Sequence, residues 1–155
     1  MDWTLFLLKI TQLVSLALPV ALLREGIRQW IGYQLTFGLS ILLIGFSIVT
    51  VFIRICRVDK KWRVLAHCCN FLSAIFCLLS SALLLWDAWN LRTGRHEDIY
   101  YHRMVAPRNI GHFAWMRRTL VAAVYIFIAS LLFTLNFIFY PEYVSGEKRT
   151  ESFKI

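Results

Sequence analysis

The sequence predicts an all-α membrane protein, a bundle of four transmembrane helices, and three observations predict it. Hydrophobic residues make up 59% of the 155 against 17% charged, and mean hydropathy is +0.61, so polar residues are too few to coat a water-soluble domain. The charged residues gather in short stretches between long apolar runs, as in a polytopic membrane protein. The six tryptophans, Trp3, Trp30, Trp62, Trp86, Trp89 and Trp115, fall at or just outside the ends of those runs. An indole there buries its ring and keeps its N–H wet, so all six are expected to be interface anchors. The composition argues against a water-soluble enzyme. The net charge of +8 lies between spans and not on a soluble face, so no nucleic-acid partner is expected.

The spans fall at about 5–23, 31–53, 64–86 and 119–139, each long enough for a hydrocarbon core of about 30 Å at about 1.5 Å per residue. Backbone in lipid must bond to itself, which runs of this length achieve as helices. The first has Asp2 ahead of it and Lys9 inside it, unlike a cleaved signal peptide; Lys9 is expected to snorkel to the near interface. A turn at 24–30 leads to the second span, and a basic turn at 54–63 to the third. A loop at 87–118 leads to the fourth, completing a membrane domain over 1–139, and 140–155 reads as a flexible polar tail. An even span number puts both termini on one side. That side carries Lys9, Arg54, Arg57, Lys60, Lys61, Arg63, Lys148, Arg149 and Lys154, nine basic residues; the other carries Arg24, Arg28, Arg92, Arg95, Arg103, Arg108, Arg117 and Arg118, eight. The totals nearly cancel, but the short dense turn at 54–63 weighs more than the long loop, which points to cytoplasmic termini.

Chemistry or ion movement inside a bilayer needs charge or coordination. The four spans hold no Asp, Glu or Arg, and Asp87, the nearest acid, is expected to face headgroups at the Trp86–Trp89 level. The third span instead carries Asn70, Ser73, Ala74, Cys77, Ser80 and Ser81 at steps that share one helix face. Small residues at this spacing permit close backbone approach and interhelical hydrogen bonds. Gly38 and Gly45 in the second span and Ala122 and Ala129 in the fourth offer comparable flat faces, for packing the bundle or for a partner. Cys56, Cys68, Cys69 and Cys77 include no Cys-x-x-Cys pair, so no redox couple is expected. Cys56, Cys68 and Cys69 lie near the terminal-side interface and are candidate palmitoylation positions.

His96, His102 and His112 match no compact metal-ligand spacing, so neither a metal nor a cofactor is expected. Ile99, Tyr100, Tyr101, Phe113, Trp115 and Met116 interleave with basic residues in the long loop, a mixture suited to headgroups or a neighbouring protein. Glycosylation sequons are absent. The ending Phe153-Lys154-Ile155 fits the apolar-x-apolar carboxylate terminus that adds as a strand to a PDZ-type groove.

The segment Leu7-Leu8-Lys9-Ile10-Thr11-Gln12-Leu13-Val14 and the basic turn leading into Cys69-Asn70-Phe71-Leu72-Ser73-Ala74-Ile75 resemble the MARVEL-domain tetraspans, the myelin-and-lymphocyte, occludin-like and chemokine-like-factor type. The resemblance covers the four-span layout. It implies cytoplasmic termini and a role in membrane apposition, vesicle traffic or cell-junction assembly, in the plasma membrane or a vesicle membrane, with no catalytic residues. The long cysteine-free last loop departs from the occludin-like members, and the claudin signature is absent. The expected function is a non-enzymatic membrane organiser whose partners are lipids, other membrane proteins or further copies, and a cytoplasmic PDZ-type scaffold. Two alternatives stand beside it: an accessory subunit of a channel, transporter or receptor, and a small transporter with a wet cavity lined by His67 or Asn70.

Overall fold

A computed structural model describes residues 3–28, 30–55, 60–93 and 110–151, with side chains over 6–28, 30–53, 62, 64–93 and 110–139. Four helices follow in order: α1 Trp3–Leu23, closed by a 3₁₀ turn at Arg24–Gly26, then α2 Ile31–Ile55, α3 Lys60–Thr93 and α4 His112–Glu151. No strand occurs among the described residues. Each helix contains a window long and apolar enough to cross a membrane, and the chain is a multi-pass, all-α four-helix bundle. The helices form a ring in which α1 adjoins α2 and α4, and α3 adjoins α2 and α4. The α3–α4 pair is the most extensive and α2–α3 the least.

Why these helices bundle shows in their buried faces. On α4, Trp115, Thr119, Ala122, Ile126, Ala129, Phe133 and Asn136 are buried; on α2, Tyr33, Thr36, Ser40, Leu43, Ser47 and Thr50. Steps of three and four in alternation give the repeat that lets long helices pack as gently inclined neighbours. The opposite faces are apolar and outward: Leu35, Leu42, Ile48 and Phe52 on α2, and Leu72, Leu79 and Trp86 on α3. Water would not tolerate such a surface, whereas lipid is its ordinary solvent.

All four helices exceed the predicted spans, α1 and α2 by two residues each and α3 and α4 by far more. α3 runs past Trp86 to Thr93, because residues 87–93 contain no Gly or Pro and Gly94 follows. α4 starts at His112, just after Gly111, whose carbonyl accepts the Trp115 backbone N–H at 3.0 Å. The 87–118 loop therefore contracts to 94–111. At 34 and 40 residues, α3 and α4 are about 50 and 60 Å long at about 1.5 Å per residue, so their ends stand clear of the hydrocarbon. α4 continues as helix to Glu151, through Pro141 and Gly146, into the segment expected as a polar tail.

Candidate functional site

Interior polar side chains gather into two clusters, one toward each end of the bundle. At the connecting-loop end, Tyr33 on α2 donates its hydroxyl proton to the Asp87 carboxylate of α3. The same hydroxyl oxygen accepts the Nε1–H of Trp115 on α4 at 3.0 Å. Trp30 and Trp115 both meet the Tyr33 ring edge-on, at centroid distances of 5.0 and 5.2 Å. The 3₁₀ turn closes down on this group: a Cβ on Gly26 would collide with Cζ2 of the Trp115 ring, so only glycine permits the approach. Arg118 Nη1 donates to Glu25 Oε2 at 2.9 Å, and His112 Nε2 lies 2.8 Å from the Leu91 carbonyl oxygen. Both contacts draw neighbouring helix ends onto α4.

Two expectations are corrected by this cluster. Asp87 is fully buried instead of facing headgroups, because the continuation of α3 places it in line with Leu84 and Leu91 on the interior face. A buried carboxylate needs donors, and Tyr33 is one. Trp115 is likewise no interface anchor: it is fully buried, one turn before Thr119 on the buried stripe of α4. Trp62, Trp86 and Trp89 are exposed and Trp30 is half-buried, with Trp30 and Trp86 6.4 Å apart. The Trp3 side chain lies outside the described residues.

The second cluster sits toward the chain termini. Asn136 on α4 donates from Nδ2 to Gln12 Oε1 on α1 at 2.9 Å, and Gln12 Nε2 donates to Ser47 Oγ on α2 at 3.2 Å. Lys9, expected to snorkel, is buried, with Nζ 5.9 Å from the Phe133 ring centroid. It shares the interior face of α1 with Gln12, while Leu7, Ile10 and Val14 take the lipid side. Lys9 and Asp87 thus place two ionisable side chains inside the bundle, where the first was expected at the near interface and the second at the headgroups. Asn70 Oδ1 and Asn136 Oδ1 are buried acceptors without a hydrogen-bond partner among the described residues. His67 stacks on Phe137 at 4.1 Å.

Between the clusters, the small-residue stripe of α3 faces α4. Asn70, Ser73, Ala74, Cys77 and Ser81 are buried and Ser80 is half-buried. Ser81 Oγ donates to the Ala123 carbonyl at 2.9 Å, and Ser130 Oγ to the Ala74 carbonyl at 2.8 Å, against fully buried Ala122 and Ala129. Gly38 and Gly45 differ from these. Both are exposed on the outer face of α2, and a Cβ added to either would meet nothing within 4 Å; they do not pack the bundle. Cys68 is exposed, Cys69 intermediate and Cys77 buried. Cys56, His96, His102 and the Phe153-Lys154-Ile155 ending lie outside the described residues.

Sequence reasoning missed Gln12, Tyr33, Ser47 and Asn136. Their signal was present: isolated hydrogen-bonding side chains within runs otherwise fit for lipid, where such groups mark helix contacts. Fold and clusters together define a multi-pass membrane bundle fastened by interior polar bonds. No family model matches the chain, and neither curated proteins nor solved structures include a significant match to it.

Proposed function

We propose that this chain is a non-enzymatic tetraspan membrane organiser, MARVEL-like in layout, serving membrane apposition, vesicle traffic or cell-junction assembly through helix-face and loop contacts. The observation that carries the reading is where the interior polar groups are spent. Tyr33, Asp87 and Trp115 tie α2, α3 and α4, and Gln12, Ser47 and Asn136 tie α1, α2 and α4. The buried ionisable Asp87 thus has a structural use, and the apolar outer faces remain for neighbours. The proposed setting is a plasma or vesicle membrane with both termini cytoplasmic. Lipids, other membrane proteins or further copies are its partners, with a PDZ-type scaffold at Phe153-Lys154-Ile155.

The second reading, an accessory subunit of a channel, transporter or receptor, draws on the open space over Gly38 and Gly45, where a neighbouring helix could approach closely. Purification of the full chain in mild detergent separates the two. Self-association or a heterogeneous set of membrane partners supports the organiser, whereas one large partner at constant stoichiometry contradicts it and supports the subunit.

A further inference from the structure

We infer that the connecting-loop end of the bundle carries a binding site for anionic phospholipid headgroups, formed by Arg24 and Arg28 after α1 and Arg117 and Arg118 on α4. This goes beyond the organiser reading and does not depend on it, nor on which side of the membrane the termini occupy.

Three contacts bring the two arginine pairs to one corner. Gly26 lies against the Trp115 ring, Tyr33 receives the Trp115 indole N–H, and Glu25 pairs with Arg118 at 2.9 Å. Arg24, Arg28 and Arg117 are exposed. Glu25 offsets one of the corner's four positive charges by pairing with Arg118, leaving the other three exposed. Basic residue choice is one-sided too. All basic residues in the α1–α2 turn and from Arg92 to Arg118 are arginines, and the five lysines, Lys9, Lys60, Lys61, Lys148 and Lys154, all lie elsewhere. A planar guanidinium matches phosphate oxygens with paired N–H donors, which an ammonium does not.

Depth selects a lipid as the source of the phosphate. The corner stands where the apolar window of α1 ends at Gly26 and in the first two turns of the α4 window that starts at His112. Exposed Trp86 and Trp89 are on the same end of the bundle, and indoles favour the headgroup level. The nearest phosphates to such a corner in a bilayer are those of its own lipids.

The test reconstitutes the full chain in vesicles of equimolar phosphatidylcholine and phosphatidylglycerol, extracts it in native nanodiscs and quantifies the retained lipids. The wild type is expected to enrich phosphatidylglycerol. The triple variant Arg24→Gln, Arg28→Gln, Arg117→Gln keeps the Arg118–Glu25 pair and is expected to lose about fivefold of that preference per arginine, from about 1 kcal/mol for each basic residue near a charged surface. Helical circular dichroism shows whether the variant remains folded, and single substitutions replace the triple if it does not. Undiminished enrichment in folded variants would overturn the site. So would inorganic phosphate binding the lipid-free protein in neutral detergent and displacing phosphatidylglycerol, because the occupant would then be free phosphate. An equal loss on neutralising Lys60, Lys61 and Arg63 would also overturn it, by showing bulk charge and no site.

Discussion

Tyr33 is the side chain on which most of the connecting-loop cluster depends, since one hydroxyl serves Asp87 and Trp115 together. Tyr33→Phe leaves a buried carboxylate and a buried indole N–H each short of a partner, and a loss of about 2 kcal/mol is expected from penalties of this kind. Asp87→Asn keeps an acceptor for the tyrosine and should cost distinctly less. Chemical or thermal unfolding of the purified protein in micelles measures both, and equal losses would contradict this by showing that the Asp87 carboxylate alone carries as much as both Tyr33 bonds together. Glycine gives a second contrast. Gly26→Ala drives a methyl into a fully buried indole and should destabilise by about 1–3 kcal/mol, as overpacking does. Gly38→Ala and Gly45→Ala meet open space and should leave the isolated bundle within about 1 kcal/mol of its parent. Among the cysteines described, Cys68 faces outward and Cys77 is enclosed. Acyl-exchange labelling of Cys→Ser variants should therefore find any acylation at 68 before 69 and none at 77; label at Cys77 would contradict its burial.

The helices carry hydrogen-bonding residues on their interior faces beside apolar ones such as Leu16, Leu84 and Phe133, and turn large aliphatic side chains outward. α2 shows this plainly: Thr36, Ser40, Ser47 and Thr50 point in, and Leu35, Leu42, Ile48 and Phe52 point out. The existence of the four helices was legible because about twenty consecutive apolar residues leave a backbone few alternatives. The interior stripe of α3 was legible because its polar members recur at helical spacing. The outward turn of Gly38 and Gly45 was not, since glycines seven apart share a face without indicating which face it is. The helix ends were also hidden. Asp87 and Trp115 stand in interface-like sequence, and only the continuation of α3 and α4 past the apolar runs carries them inside. At this scale the α1–α4 contact gives a test. Gln12→Leu and Asn136→Leu each break one chain of bonds running from Asn136 through Gln12 to Ser47. The double variant should lose less stability than the sum of the singles. Additive losses would show that the two amides do not act together.

Over the whole molecule, polar bonds at both ends and small residues between them make a bundle that holds its own shape in lipid and offers neighbours an apolar exterior and a basic, aromatic corner. That division of labour is what an organiser requires: interior contacts fix the form, and exterior ones are available for assembly. The most direct test is photocrosslinking of the full chain in its native membrane, with photoreactive residues at outward positions such as Leu35 and Leu42 and at interior Leu43 as control. The account predicts adducts with other membrane proteins or further copies from the outward positions and none from Leu43. Recovery of uncrosslinked monomer alone from every outward position would contradict it.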